Sequence, residues 1–398
     1  MTLPDAAWRH RPGLDALLAA LDAHKGETRY VGGAVRDTLL GLPVSDLDLA
    51  TRLKPEQVRD RVVEAGLKAV PTGIAHGTIT AVLADGPVEV TTLRRDVDTD
   101  GRRATVAFSD DWREDAARRD FTINALYADP ASGEIIDFFG GRDDLAAGLV
   151  RFIGDPLVRI AEDHLRILRF FRFHARFGRG APDAAGYDAC AARANDLMAL
   201  SRERIADELL KILAGVDPAA PIRLMLDRAI LAPVLPELDA DGADRLARLV
   251  GVEAKSGFAP DRIRRLVALL PQDAAVADDM AIRLRLSNAI RKRMALVLSG
   301  RVAPTPQALG YRLGREAAID RLLLDGDIAA AHRLADWQRP TLPISGGALV
   351  ERGLVAGPDV ARALRAIEDA WIAEDFPDRA RVDAITDAIL AQALSPRQ

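Results

Sequence analysis

The chain has 398 residues, a formal charge of −5, 49% hydrophobic and 5% aromatic residues, and one cysteine, Cys190. That length exceeds one ordinary core and predicts two to four domains. A single cysteine excludes an internal disulfide or a cysteine zinc cluster, no apolar run is long enough for a transmembrane helix, and the acidic balance argues against nucleic-acid binding through overall charge.

Read in chain order, the N-terminal MTLPDAAWRH has no apolar signal core, so a cytoplasmic protein is expected. Residues 11–25 have helical spacing and end at Gly26. TRYVGG reads as a strand entering a turn, AVRDTLLG as a short helix closed by Gly41, and SDLDLAT as a strand with aspartates on one face and leucines on the other. KPEQVRDRVVEAG is helical. HGTITAVLAD and GPVEVTTLRR read as a hairpin turning at Asp85-Gly86. Residues 95–111 are polar and charged, and a mobile loop is expected there. RRDFTINALYAD and GEIIDFFGG follow. From about residue 155 strand patterns give way to helical periodicity rich in Ala, Leu and Arg. Pro218, Pro221, Pro233 and Pro236 punctuate a boundary between helical parts. The fold class is therefore α+β, with a mixed N-terminal part and an all-helical remainder.

The densest chemistry lies in YVGGAVRDTLLGLPVSDLDLAT, residues 30–51. Asp46 and Asp48 alternate along a strand, which points both carboxylates the same way about 7 Å apart. Hard divalent cations take such oxygens, and Mg²⁺ keeps positions open for substrate phosphates. Gly32 and Gly33 permit close backbone approach, the following helix offers N–H groups, and Arg36 adds a cationic fork. These parts together suit a nucleoside triphosphate with metal at the reacting phosphorus. Asp-x-Asp alone is more often a solvated strand, and Glu89, on PVEVTTLR, matters only as a third carboxylate on a neighbouring strand.

The combination resembles the class II tRNA nucleotidyltransferase and bacterial poly(A) polymerase superfamily. Gly32-Gly33-x-Val35-Arg36-Asp37 with Asp46-x-Asp48 is similar to its first motif. RRDFTINAL at 118–126 resembles its ribose-recognition motif, and DFFGGRDDLAAGLVRFIGDP at 137–156 its hinge. EDHLRILRFFRF at 162–173 resembles the base-selection motif, and SRERIADELLKIL at 201–213 the motif that stabilises the neck. The five occur in order across residues 30–213. The resemblance implies a nucleotidyltransferase head at 1–150, a helical neck at 151–215 and an RNA-binding body and tail at 216–398. It implies attack of an RNA 3′-hydroxyl on a nucleotide α-phosphate, with pyrophosphate released. Asp46 and Asp48 would hold Mg²⁺, with Mn²⁺ an alternative, and Glu89 would assist. Gly32, Gly33 and Arg36 would hold the triphosphate, and Arg119, Asp120 and Asn124 the sugar and phosphates.

Within 159–179, six arginines face two acids. Asp163 and Arg166, three apart, are expected on one helix face, where acceptor and donor together imitate a base edge. The resemblance makes them the amino-acid template for C and A, with Arg169 also near the nucleotide, while the four-residue spacing lets Glu162 hold Arg166 in place. Phe170, Phe173 and Phe177 have core spacing. From 281 to 315 there are eight basic residues and no acidic one. Ser287 reads as a helix N-cap, which puts Arg291, Lys292 and Arg293 where the helix dipole disfavours cations, and a bound RNA phosphate would relieve that conflict.

The expected activity is addition of CCA to tRNA from CTP and ATP. Poly(A) polymerase, a CC-only or A-only enzyme, and a noncatalytic RNA-binding relative are the alternatives. PTGIAHGTITAVL at 71–83 is similar to the tRNA-enzyme pattern, and retention of Asp46, Asp48, Asp163 and Arg166 disfavours a noncatalytic relative.

Overall fold

Alternating apolar and polar residues build the sheet of the N-terminal half. The computed structural model describes residues 2–99, 104–300 and 303–394. Its strands are β1 (Thr28–Val31), β2 (Leu47–Thr51), β3 (Lys68–Gly73), β4 (Thr78–Leu83), β5 (Gly86–Thr92), β6 (Arg94–Thr99), β7 (Ala104–Phe108), β8 (Leu126–Ala128) and β9 (Ile135–Asp137). Seven form one sheet in the order β3-β4-β5-β2-β1-β8-β9. Only the β2·β5 pair in it is parallel, and its register sets Asp48 opposite Glu89. The β4–β5 hairpin turns where the Asp85-Gly86 signal predicts, with Leu83 opposite Gly86.

The alternation sorts β2 into two faces. Leu47 and Leu49 are buried, as are Val88 and Val90 beside them on β5. Helices Leu14–Ala20 and Pro55–Glu64 add Leu14, Leu17, Val58 and Val62 to the core, and the second of these packs on β3, β4 and β5. Each such apolar side chain contributes about 1.5–3 kcal/mol. On the other face Ala50 joins Trp112, Ala116, Leu93 and Tyr127 in a smaller core. Asp48 alternates with the leucines and is therefore turned away from the main core.

The stretch 95–111 departs from its expected loop. β6 and β7 pair there as an antiparallel hairpin with a register shift between Asp96 and Asp98, while residues 100–103 lie outside the described residues. Its polar composition hid the extended alternation in ATVAF. β3 was likewise not anticipated, because KAVPTG mixes proline and glycine into an edge strand.

The chain divides into two compact units, 1–236 and 237–398. The division falls at the last of the four punctuating prolines, so the expected head and neck share the first unit. Beyond the sheet that unit is helical: Pro156–Glu162, Arg166–Phe177, Ala184–Ala192, Arg202–Leu213 and Ala219–Asp227. The arginine-rich helix Arg166–Phe177 packs on the last two of these. Phe121, Phe152, Phe170 and Phe173 join it to the sheet's end, with ring centroids 4.9–6.2 Å apart.

The second unit is all helix among its described residues. Helix Ala240–Ser256 packs closely on Arg262–Leu269, and a Cβ at Gly242 would come within 2.1 Å of the Leu269 carbonyl oxygen. Tyr311, Leu349, Ile367, Trp371 and Val382 anchor a core nearer the C-terminus.

Candidate active site

The glycine–aspartate stretch folds as a strand, a tight turn, a short helix and a second strand. At the end of β1 the chain reverses at Gly32, whose φ of +68° lies in the region that favours glycine. The Gly32 N–H donates to the Leu126 carbonyl at 3.0 Å, which ties the turn to β8. A Cβ at Gly32 would lie 3.5 Å from Arg119 Nη1, so the turn and that guanidinium are neighbours. Helix Gly33–Leu39 then leads into β2 and its aspartates.

A cleft of about 590 Å³ opens here. Eight arginines and five aspartates line it, with only Val44, Leu165 and Phe173 as apolar members. Such a lining suits a multiply charged anion rather than an apolar ligand. The structure brings together Gly32, Gly33, Arg36, Asp46, Asp48, Arg119, Asp120, Asn124, Asp163, Arg166 and Arg169, as the motifs predict. Glu89 stands opposite Asp48 but is exposed and does not line the cleft.

Asp48 is a cleft carboxylate shifted upward. Burial first, and then the charges of Glu89 and Asp46, push its carboxyl up to about 6, against the opposing pull of Arg119. Unbalanced negative charge of this kind fits a divalent cation. Among the described residues no three acidic, histidine or cysteine side chains converge enough to hold a metal. The protein would therefore supply two carboxylates, Asp46 and Asp48, and substrate oxygens or water the rest, as Mg²⁺ prefers.

Four expected ligands, Arg36, Asp120, Asn124 and Arg169, have polar groups engaged with protein. Arg36 is buried, donates to Asp37 Oδ1 at 2.7 Å and to Asn124, and lies 4.1 Å above the Phe177 ring. Its Nη2 would lie 3.7 Å from a Cβ at Gly33, so it stands beside the glycine turn as well as in the cleft lining. Asp120 accepts from Phe121 N–H and Asn124 Nδ2 on one oxygen and from Arg169 Nε and Nη2 on the other. Burial would raise this carboxyl, but Arg169 and Asn124 hold it below the usual carboxylate range. These four contacts fill the usual acceptor positions of the Asp120 carboxylate, which still lines the cleft.

The pair Asp163 and Arg166 is close but not on one helix. Pro156–Glu162 ends at Asp163, whose φ of −150° is extended, and a new helix begins at Arg166. Asp163 accepts from Leu165 N–H at 3.1 Å, a local bond that competes with helix continuation. Arg204, from helix Arg202–Leu213, donates to both Asp163 oxygens at 2.9 and 3.0 Å. Arg166 is fixed separately by Glu162 at 2.5 Å and by the carbonyls of Arg159 and Arg118, each at 2.9 Å. Glu162 thus steadies Arg166 as the four-residue spacing predicts, and Asp163 and Arg166 both line the cleft. Phe170, Phe173 and Phe177 are buried, as their spacing predicts.

Sequence reasoning missed Asp115, Arg118, Arg172, Arg176 and Arg204. Arg118, Arg172, Arg176 and Arg204 line the cleft. Asp115 stands three and four residues before Arg118 and Arg119, a spacing that could have signalled it.

The proposed RNA-contact residues lie in the second unit, on helix Asn288–Val297, with Ser287 at the N-cap as predicted. Two of the three cations are already matched. Arg291 pairs with Asp278 at 2.9 Å, and Arg293 with Asp320, Asp261 and Glu316 at 2.6, 3.0 and 2.9 Å. The acids missing from residues 281–315 arrive from other helices. Lys292 is exposed.

Comparison with known proteins agrees with this geometry. Residues 28–151 match the poly A polymerase head domain, and residues 185–241 match the probable RNA and SrmB-binding site of polymerase A. The human mitochondrial CCA tRNA nucleotidyltransferase 1 is 32% identical over 90% of this chain and 86% of its own length. The CCA-adding enzyme of Latilactobacillus sakei is 31% identical over 95% of this chain and 96% of its own. The crystal structure of the Bacillus stearothermophilus CCA-adding enzyme in complex with CTP aligns with a TM-score of 0.77 at 26% identity, covering 96% of this chain and 99% of that one. No helix among the described residues is long and apolar enough to cross a membrane.

Proposed function

The chain belongs to the family of CCA-adding tRNA nucleotidyltransferases, and on that premise we propose that it adds C, C and A to tRNA 3′ ends from CTP and ATP, releasing pyrophosphate. The observation that carries this reading is one arginine-lined cleft containing both Asp46 and Asp48 and the Asp163–Arg166 pair. It combines phosphoryl-transfer groups with a donor–acceptor pair for a base edge.

In this reading Gly32 and Gly33 let the triphosphate approach the backbone, and Arg119 lends it positive charge. Asn124 and Arg169, held by Asp120, orient the sugar and phosphates. Asp163 and Arg166 offer an acceptor and a donor to the incoming base, so no nucleic-acid template is needed. Asp46 and Asp48 would hold a divalent cation, Mg²⁺ or Mn²⁺, which when bound supplies charge neutralisation and lowers the pKa of the attacking hydroxyl. Glu89 adds negative charge beside Asp48. Of Arg291, Lys292 and Arg293, the exposed Lys292 is the best supported RNA contact. A cytoplasmic location, where tRNA and nucleoside triphosphates meet, belongs to the same reading.

The test uses purified full-length protein, tRNA lacking its tail, and CTP and ATP given separately and together. Sequenced products ending in CCA are expected. Products ending in CC or gaining only A would mark a partial enzyme, a long A tail a poly(A) polymerase, and no product a binding protein.

A further inference from the structure

Asp115 lies outside every group assigned above, yet several of them converge on it. It sits on helix Trp112–Ala117, on the sheet face opposite the main core, and is 1% exposed. Its Oδ1 accepts from Arg118 Nε at 2.8 Å and lies 2.7 Å from Arg118 Nη2. The same oxygen accepts the Arg94 N–H at 3.3 Å, at the start of β6. Its Oδ2 accepts from Tyr127 Oη at 2.7 Å and from Arg119 Nη2 at 3.2 Å. Tyr127 closes the triangle by accepting from Arg119 Nε at 3.4 Å.

This leaves the Arg119 fork held by one edge. Nε and Nη2 face Tyr127 and Asp115, while Nη1 lies against the Gly32 turn and the charge of Arg119 pulls on Asp48. We infer that Asp115 is a positioning residue for nucleotidyl transfer: it aims Arg119 at the point between the glycine turn and Asp48 where phosphate charge must be met. A cation fixed in advance stabilises developing charge more than a mobile one, because nothing need reorganise during reaction. The carboxylate's state is consistent with this. Burial would raise it, but Arg119, Arg118 and the Tyr127 hydroxyl hold it far below the usual carboxylate range, so it stays charged. A second consequence passes through Arg118, whose carbonyl accepts from Arg166 Nη2 at 2.9 Å. One buried carboxylate thereby steadies groups at both the phosphate and base ends of the cleft.

The inference rests on the proposed nucleotidyl transfer, and wild-type addition of CMP to tail-less tRNA is the control that separates the two. If wild-type protein fails, the reading of function fails; if it succeeds, the variants test Asp115. Single-turnover CMP addition, equilibrium CTP binding and melting temperature are measured on full-length Asp115→Asn, Asp115→Glu, Arg119→Lys and the Asp115→Asn/Arg119→Lys double variant. Asp115→Asn should slow addition about 100-fold, with CTP affinity within about 3-fold of wild type. Asp115→Glu keeps the charge but shifts it by one methylene, and should remain at least about 10-fold slow. The double variant should be no more than about 2-fold slower than the slower single one, since both changes disable one device. A wild-type rate in Asp115→Asn, recovery in Asp115→Glu, a wild-type rate in Arg119→Lys, or losses that multiply would each overturn the inference. Should Asp115→Asn melt below the assay temperature, Tyr127→Phe decides. It removes only the hydroxyl and should slow addition about 5-fold, and an unchanged rate would overturn the inference.

Discussion

At the scale of single residues, charge that the protein leaves unbalanced marks where ligand charge belongs. Asp48 is pushed up to about 6 by burial and by Glu89 and Asp46. Replacing it with Asn removes a penalty of burial and repulsion together of at most about 3 kcal/mol, since a tenfold change in a proton-binding equilibrium corresponds to about 1.4 kcal/mol. Asp48→Asn should therefore abolish nucleotide addition yet raise the melting temperature of the metal-free protein. Adding Mg²⁺ should stabilise wild type and leave the variant unmoved. Calorimetry with and without Mg²⁺ measures both, and a variant that melts lower than wild type without metal contradicts the carboxylate assignment. Arg166 makes the contrasting case, because its donors already serve Glu162 and two carbonyls. Arg166→Ala should raise UMP and GMP incorporation relative to CMP and AMP while CTP binding falls less than about 10-fold, as Gly32, Gly33 and Arg119 remain. If selectivity holds and only the melting temperature drops, Arg166 is no more than a structural tie.

Elements determine which of these residues were legible in the sequence. β2 was readable because alternation is strict there: Leu47 and Leu49 are buried, and Asp48 must then face the other way. The β4–β5 turn was readable from Asp85-Gly86. The base-selection motif was readable as residues but not as an element. A helix of uniform spacing passes through Asp163, whereas the chain breaks there, because Asp163 is drawn to its own Leu165 N–H and to Arg204 from a helix forty residues on. No local pattern contains Arg204. The same reason hid the roles of Glu208, which takes Arg172, and Asp37, which takes Arg176 at 3.1 Å. Helix Arg202–Leu213 thus acts as a strut for the break. Arg204→Gln should loosen Asp163 and lower discrimination among nucleotides, whereas Arg202→Gln, two positions away, should not. Misincorporation frequencies for the pair measure this, and equal effects would assign the helix a packing role only.

The scale of the whole molecule changes the meaning of the basic stretch. In sequence, residues 281–315 look like an unneutralised cationic surface. In the fold, Arg293 meets Asp320, which is 1% exposed and also takes Arg264, and this cluster continues through Glu253 to Arg265. Those arginines hold helices together within the second unit. Removing Arg293 takes one of two cationic partners from the buried Asp320, which keeps Arg264, so the cost stays below the about 3–5 kcal/mol of leaving a buried charge wholly unpaired. Arg293→Gln should accordingly lower the melting of the second unit, contrary to the slight stabilisation expected from a cation leaving a helix N-terminus. Lys292→Gln carries the RNA question instead, since the exposed ammonium can leave without disturbing the fold. It should keep the wild-type melting temperature and weaken tRNA binding. The log–log dependence of affinity on salt should become shallower by roughly 0.7–0.9, the value for one lost phosphate contact. CTP binding should be unchanged, because every residue lining the cleft lies in the first unit. Filter binding of tRNA across a salt series reads the slope. A slope equal to wild type would remove Lys292 from the RNA-contact surface and leave the net acidity of the chain without a compensating cation on this helix.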